Sequence, residues 1–339
     1  HPLSEPESRA VVAFATSHPH LFAWVNFHTF GGVFIRPHGG KPDNQMDPSD
    51  LALYRQLGEW ATALTGYPMV SGFEEFTYEP GTPLRGDLTD FAYHQLGCVT
   101  WACELWDLFH QVGIETKKRF VDHYTHMTRD QLIALGRWDA EHNAGRVIRP
   151  WRTFAHPQLG PVEIGGIDPR VGMWNPPYER LAEVCDKHVA MLLRTAAIAP
   201  RVSLDTPVAE QVSPGVWSVT VTVRNDGYLP TNVLSSAVAL EHNEPLYALA
   251  AVEGCTFVDP SQARRQIGHL EGWGRGLYGD AGALYFMRSK GSVSARTLVW
   301  LVRGEGTLEV TIRSCRTGDV GCLVELKRGL GQALGPELG

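Results

Sequence analysis

The spacing of apolar residues changes near residue 200, and this change constrains the fold more than any other feature of the sequence. Apolar and polar residues alternate along 218–223 and again along 308–312. Alternation with a period of two is typical of strands that bury one face. The turn sequence Asn225-Asp226-Gly227 follows the first of these runs, which favours strands joined by tight turns. We therefore predict an all-β domain after residue 200, most simply a sandwich.

Before residue 200, short apolar runs of strand length alternate with stretches in which apolar residues recur at helical spacing. That succession favours an α/β layer fold. The predicted helices are 4–17, 49–66, 88–97 and 176–198, and we expect Ser4 to cap the first amides of the first helix. A polar stretch of helical pattern covers 113–145, and the predicted strands are 21–27 and 99–105. We predict a first domain over 1–199, a second over 200–327 and a tail over 328–339.

The charge balance limits the kinds of partner that the chain can bind. The net charge is −7 and the isoelectric point is near 6.1, and the sequence has no run of Lys and Arg of the kind that binds phosphates. A nucleic-acid partner is therefore not expected. A membrane span is not expected either, because no stretch approaches the roughly 20 apolar residues that a bilayer requires. A peptide or small-molecule partner fits better, and the oligomeric state is left open.

The ends and the cysteines of the chain say something about its origin. The chain begins with His1 rather than Met and has no basic-then-apolar signal peptide, so we expect that an upstream segment has been lost. A secreted or periplasmic location is our expectation for the parent protein. The six cysteines form no C-x-x-C pair and are too scattered for a disulfide framework. Cys315 and Cys322 flank a turn-like sequence and either pair in an oxidising compartment or remain thiols.

Two residues are candidates for chemistry from their position alone. Glu104 interrupts the apolar run 98–105, where an ionised carboxylate is costly to bury without a partner or a metal. It is either part of a site or a buried ion-pair partner, for example of Arg85. His28 directly follows the predicted strand 21–27, and it is either a metal ligand or a hydrogen-bonded structural histidine.

A series of motifs in order resembles zinc carboxypeptidases of the carboxypeptidase A type. Ser4-Glu5-Pro6-Glu7 precedes His28 at the spacing that the family has between its Ser-Glu-x-Glu helix start and a zinc-binding histidine. Tyr78 then falls in a Gly-rich loop, and Asp90-Phe91 precedes Cys103-Glu104-Leu105 at the family's spacing. The match covers roughly 1–110 by motif and the remainder more loosely.

The flanking sequences narrow the resemblance within the family. The stretches 28–32 and 156–166 look closest to larger bacterial members that carry extra C-terminal segments. The resemblance implies an α/β fold, namely the C-terminal part of a mixed-sheet carboxypeptidase-like domain followed by an all-β sandwich.

The resemblance also implies roles for individual residues around one zinc ion. His28 would be the third zinc ligand, and Glu104 would be the general base. Tyr78 would lie on the loop that closes over the substrate, although an exposed loop tyrosine without a catalytic role is equally consistent with its position. Phe30 and Asp90 would lie at substrate-binding positions, and Phe30 stands where the digestive enzymes have a tyrosine.

The sequence departs from the family in one respect. The first two zinc ligands of the family come from a His-x-x-Glu motif, and none of the 14 histidines here begins such a motif. Two of the three zinc ligands are therefore expected upstream of His1. We predict a metallocarboxypeptidase in the parent protein that is inactive as this chain. The alternative is a non-catalytic descendant of the fold that binds peptide or glycan.

Overall fold

The computed structural model describes residues 3–79, 81–115, 127–274 and 294–327. Its helices within these ranges are α1 (Pro6–Thr16), α2 (Pro48–Thr65), α3 (Leu88–Leu96), α4 (Leu108–Gln111), α5 (Arg129–His142) and α6 (Leu181–Ala197). Its strands there are β1 (Ala23–Thr29), β2 (Val33–Arg36), β3 (Met69–Ser71), β4 (Val99–Leu105), β5 (Ile148–His156), β6 (Gly160–Ile167), β7 (Val202–Leu204), β8 (Val208–Ser213), β9 (Val216–Asn225), β10 (Leu246–Glu253), β11 (Thr256–Phe257), β12 (Arg264–Gly268), β13 (Ala295–Arg303), β14 (Gly306–Arg313) and β15 (Val320–Leu326). No helix among the described residues is long and apolar enough to cross a membrane.

The first helix begins later than the sequence predicts. We expected Ser4 to cap the first amides, but α1 begins at Pro6 with Glu5 at the N-cap and no side-chain cap. The Ser4 hydroxyl instead donates to the Glu5 carboxylate at 3.0 Å. Pro6 favours this start, because its fixed φ suits the first helical turn and it has no amide that needs an acceptor there. In α1, Ala15 is the buried residue, and the helix is otherwise largely exposed.

Helix α2 closely matches the predicted helix 49–66. The Asp47 carboxylate accepts hydrogen bonds from the amides of Ser49 and Asp50, which supplies partners for the first free amides of the helix. Gly66 ends the helix with a φ of 81°, a left-handed conformation that favours glycine. The apolar face of α2 is buried at Leu53, Leu57 and Ala61.

In the part of the chain that the structure describes, the N-terminal sheet has four strands in the order β1-β4-β2-β3. Strand β2 pairs in parallel with β3 and antiparallel with β4, so the sheet is mixed, as predicted. Strand β4 lies between two neighbours and its first five residues are buried, whereas β1 is an edge strand whose residues are half-buried or exposed. The strand that carries Glu104 is therefore central, and the strand that carries His28 is peripheral.

The segment between β4 and residue 200 differs from the prediction. Strands β5 and β6 form a two-stranded hairpin that the sequence did not indicate, and residues along both strands are exposed. The single helix predicted over 176–198 is a short 3-10 turn at Tyr178–Arg180 followed by α6. The two prolines at 176 and 177 explain the delayed start, because proline disfavours helical backbone in the residue before it. Helix α5 lies within the predicted stretch 113–145, part of which falls outside the described residues.

The C-terminal part consists of two antiparallel sheets, which confirms the β-rich prediction. One sheet has the order β12-β10-β14-β15, and the other has the order β11-β13-β9-β7 with β8 also pairing with β9. Alternate residues of β9 and β14 are buried. Together with residues of neighbouring strands they form one apolar core, which includes Val219, Val221, Trp300, Leu308 and Val310.

The contacts divide the chain into two compact units. The first comprises His1–Ala23, His94–Val99 and Thr195–Gly339, and the second comprises Trp24–Tyr93 and Thr100–Arg194. The division into domains 1–199 and 200–327 stays a prediction. The predicted tail 328–339 lies outside the described residues. Cys315 and Cys322 are both free thiols.

Candidate functional site

His28 and Glu104 lie side by side near the ends of neighbouring strands. The distance from His28 Nδ1 to Glu104 Oε1 is 3.6 Å. Strands β1 and β4 run in the same direction, because their starts are joined by Val99 N donating to Phe22 O (2.9 Å) and their ends by Gly31 N donating to Trp106 O (3.0 Å). The carboxyl ends of the two strands therefore meet at one edge of the sheet.

The two side chains of the pair have different environments. The His28 side chain is 54% exposed, whereas the Glu104 side chain is 13% exposed. Burial raises the pKa of Glu104, and the neighbouring His28 opposes this shift. Glu104 Oε2 is buried and has no hydrogen-bond partner among the described residues. Buried polar atoms in native proteins usually have a hydrogen-bond partner, so this oxygen requires an explanation, and a catalytic role is one of those that fit. Arg85 is exposed, and among the described residues the group that lies within ion-pair distance of the Glu104 carboxylate is His28.

The turn after β1 is shaped to lie against the end of β4. Gly32 has a φ of 63°, and a Cβ at this position would lie 2.2 Å from the Asp107 Cβ. The Gly32 amide donates to the Glu104 carbonyl at 2.8 Å. Only glycine fits this conformation at this close approach. The turn thereby fixes the backbone of Glu104 relative to the strand that carries His28.

Two segments of the chain match protein-family models. Residues 1–122 match the model described as zinc carboxypeptidase, so this segment is similar to that family. Residues 201–325 match a second model, described as a domain of unknown function (DUF8731). No curated protein matches the chain.

A zinc carboxypeptidase-like segment implies zinc, and the residues of this chain can be tested against that requirement. Catalytic zinc typically has three protein ligands. In the described part of the chain, no group of three His, Cys, Asp or Glu ligand atoms within 4.8 Å of one another includes His28. His28 and Glu104 by themselves therefore do not fit a catalytic zinc ion, and further ligands are needed.

Tyr78 and Phe30 lie on segments that flank the carboxypeptidase-like strands. Tyr78 is 67% exposed, in the loop after β3, with its ring centroid 6.4 Å from that of Phe76. The Phe30 ring centroid lies 6.2 Å from that of Phe109. These contacts do not join either residue to Glu104. Their roles toward a substrate stay predictions.

Asp90 lies on α3 and is engaged with a neighbouring loop. Its carboxylate accepts a hydrogen bond from the Gly39 amide at 3.0 Å. One of the carboxylate oxygens also lies within 4.8 Å of a ring nitrogen of His38. His94 follows one helical turn later on the same helix. The contact with Gly39 shows Asp90 holding a loop, and its predicted substrate-binding role stays a prediction.

Sequence reasoning missed the residue that ends β4. Trp106 is buried and has a φ of 76°, a conformation that non-glycine residues rarely adopt. Its amide donates to the Tyr67 hydroxyl at 3.1 Å, and its indole N–H donates to the Gly172 carbonyl at 2.9 Å. These contacts hold the chain in its left-handed turn two residues after Glu104. The signal in the sequence is weak, because a tryptophan after an apolar strand is equally typical of an ordinary core.

Proposed function

We propose that the chain belongs to a zinc-dependent metallocarboxypeptidase that removes C-terminal residues from peptides. The observation that carries this proposal is the contact between His28 and Glu104 at the ends of two adjacent strands, within the segment that matches zinc carboxypeptidases. Glu104 would be the general base, and His28 would be one zinc ligand.

The environment of Glu104 suits a general base. A carboxylate with a raised pKa is a stronger base than an exposed one, and Glu104 keeps one oxygen without a hydrogen-bond partner among the described residues. In the proposed reaction, a water oxygen bonds to the scissile carbonyl carbon while Glu104 takes a proton from that water. The same proton then passes to the leaving amine as the carbon–nitrogen bond breaks, and Glu104 is regenerated.

The remaining ligands would come from a further polypeptide segment that carries His-x-x-Glu. Strand β1 supports this part of the proposal, because among the described residues it has one neighbour in its sheet, β4, and lies at the edge. An edge strand presents unpaired amides and carbonyls that another strand can bind. A segment paired with β1 would bring its ligands close to His28.

The test compares the 339-residue chain with the same chain joined to a segment that carries His-x-x-Glu. Equilibrium dialysis with metal analysis measures zinc, and release of C-terminal amino acids from peptides measures turnover. We expect weak zinc binding and no turnover for the chain alone, and stoichiometric zinc with turnover for the joined protein.

Variants of the joined protein assign the two roles. Glu104→Gln should keep the metal and lower kcat by about 10²- to 10⁴-fold, because it removes the base without removing a ligand. His28→Gln should weaken zinc binding. The exposed Glu163 on β6 provides a matched control, and Glu163→Gln should change neither property.

Two results would contradict the proposal. One is tight stoichiometric zinc in the 339-residue chain, and the other is full activity in the Glu104→Gln form of the joined protein. Peptide binding by the joined protein with zinc present but without turnover would favour the non-catalytic alternative.

A further inference from the structure

Arg316 is a buried arginine in the loop between β14 and β15, and it is 6% exposed. Its guanidinium donates to four oxygens. Three are main-chain carbonyls, of Leu96 (2.5 Å), Pro19 (3.4 Å) and Leu21, and the fourth is the side-chain oxygen of Asn243 (3.0 Å). All four acceptors are neutral. The cation is thus held by oriented dipoles, and most of them belong to main chain that is far away in the sequence.

Two of these carbonyls have a special position in the chain. Leu21 lies just before β1, and Leu96 is the last residue of α3, just before β4. Arg316 therefore contacts the main chain at the starts of the two strands that end at His28 and Glu104. All of these contacts lie within the first compact unit.

Asn243 holds Arg316 in place from the other side. Its side-chain amide donates to the carbonyls of Asn232 (3.1 Å) and Ala237 (3.0 Å), and Asn243 is 2% exposed. The Asn243 oxygen is thereby directed at Arg316 Nε. Asn243 belongs to the C-terminal β-rich region, so this region holds the guanidinium in position for its hydrogen bonds at the starts of the two strands.

Gly97 gives a second, independent sign of a built contact. It has a φ of 63°, and a Cβ there would lie 2.5 Å from the Ala237 Cβ and 3.2 Å from Arg316 Nη2. The main chain between α3 and β4 thus approaches the β-rich region as closely as glycine allows.

We propose that the C-terminal β-rich region acts as a clamp on the starts of β1 and β4, with Arg316 as the positioning residue. The clamp fixes the two strands relative to each other at one end, and His28 meets Glu104 at the other. Its importance for catalysis rests on the proposed function, but the clamp itself is a property of the fold and is tested without metal or peptide. In this proposal, the region that matches a domain of unknown function has a structural role in this chain.

The chemistry of the clamp requires arginine. A planar guanidinium offers five N–H donors in a fixed arrangement and can reach several carbonyls at once, whereas the single ammonium of lysine cannot span the same acceptors. Arg316→Lys should therefore fail to restore the contacts, although it keeps the charge.

Amide hydrogen exchange, measured by mass spectrometry on the 339-residue chain, tests the clamp. In Arg316→Gln and Arg316→Lys we expect amides of β1 and β4 to exchange about ten- to a hundredfold faster, the range for one lost hydrogen bond to a charged group. Amides of β9 and β14 in the sandwich should exchange at the wild-type rate. Arg265 is a matched control, because it also donates to a carbonyl, that of Val299 at 2.8 Å, but at the surface. Arg265→Gln should leave β1 and β4 unchanged.

The local pattern separates positioning from a general loss of stability. Equal acceleration in all strands would show that Arg316 is merely part of the fold's stability, and unchanged exchange in β1 and β4 would show that it clamps nothing. Gly97→Ala disturbs the same contact from the other side and should give the same local pattern. If neither Arg316→Gln nor Gly97→Ala yields a folded sandwich, the clamp is overturned, because these residues would then be part of the sandwich core itself. The carboxypeptidase proposal would survive each of these failures, since its own test is metal binding and turnover.

Discussion

The sandwich core and the strand pair β1/β4 differ in the kind of side chain that they bury. In the sandwich, alternate residues of β9 and β14 are fully buried apolar side chains, such as Val221 and Leu308. In the strand pair, a largely buried carboxylate faces a histidine at 3.6 Å and leaves one oxygen without a hydrogen-bond partner among the described residues. Burying apolar surface stabilises a fold by about 25 cal/mol per Å², whereas burying a polar group without a partner costs free energy. The first region stabilises the protein, whereas the second keeps a carboxylate that is costly to bury, as the proposed catalytic role of Glu104 requires.

The largest expected effect is in the sandwich core. Leu308 is fully buried, and Leu323 on the neighbouring strand β15 is 53% exposed. Leu308→Ala should lower the free energy of unfolding by about 2–5 kcal/mol, because it removes buried methyl groups and leaves a cavity. Leu323→Ala makes the same chemical change at the surface and should cost within about 0.5 kcal/mol. Urea unfolding followed by tryptophan fluorescence measures both. Similar losses in the two variants would show that the Leu308 side chain is no more buried than that of Leu323.

A smaller effect is expected from a buried histidine behind the carboxypeptidase-like sheet. His188 on α6 packs against the rings of Phe34 and Tyr67, and its Nδ1–H donates to the Val184 carbonyl at 2.7 Å. Its Nε2 is buried without a hydrogen-bond partner among the described residues. Burial lowers the pKa of His188 below its ordinary value of 6.5, so the neutral form is favoured in the folded state.

This shift has a definite sign for stability. The unfolded chain binds a proton at His188 more readily than the folded chain, so stability is present above pH 6.5 and is lost as pH falls through the folded-state pKa. The contribution to the slope is at most about 1.4 kcal/mol per pH unit. Urea unfolding between pH 7.5 and 5 should show a shallower slope for His188→Gln than for the wild type. His142, whose side chain is 63% exposed, is the control, and an equal change in His142→Gln would contradict the assignment to His188.

The parts of the fold that could be predicted from the sequence are the strands whose apolar residues follow one another or alternate regularly. The strand at 99–105 was predicted with its observed bounds, because it follows Gly97 closely and consists mostly of apolar residues. Strand β9 was indicated by alternating valines. The hairpin of β5 and β6 was missed, because β5 is exposed along nearly its whole length and alternate residues of β6 are half-buried rather than buried.

The candidate site could be predicted in part, and this prediction came from the spacing of motifs rather than from the pattern of apolar residues. The spacing of motifs pointed to His28 and Glu104, and the structure brings these two side chains together. The left-handed Trp106 and the contacts of Arg316 could not be predicted, since both depend on main-chain groups that are distant along the chain. Arg316 looks like any loop arginine in the sequence, and its burial results from tertiary structure alone. The start of α1 was predicted wrongly because a serine two residues before a proline was given the role of the cap.

The smallest expected effect is the sharpest test of the comparison, because it predicts that a site residue opposes stability. Glu104 is held in a largely buried position, and this burial raises its pKa, so the charged carboxylate is disfavoured there. Glutamine has nearly the same shape without the charge, so Glu104→Gln should leave the free energy of unfolding unchanged or raise it by less than about 1 kcal/mol. His28→Gln should instead lower it slightly, since it removes the partner and leaves the carboxylate behind. In the double variant that loss should disappear, because no buried charge then remains to be paired. Urea unfolding of the four proteins in chelator at pH 7 gives this cycle, and a loss above about 2 kcal/mol in Glu104→Gln alone would mean that the carboxylate is a structural ion-pair partner rather than a group kept for chemistry.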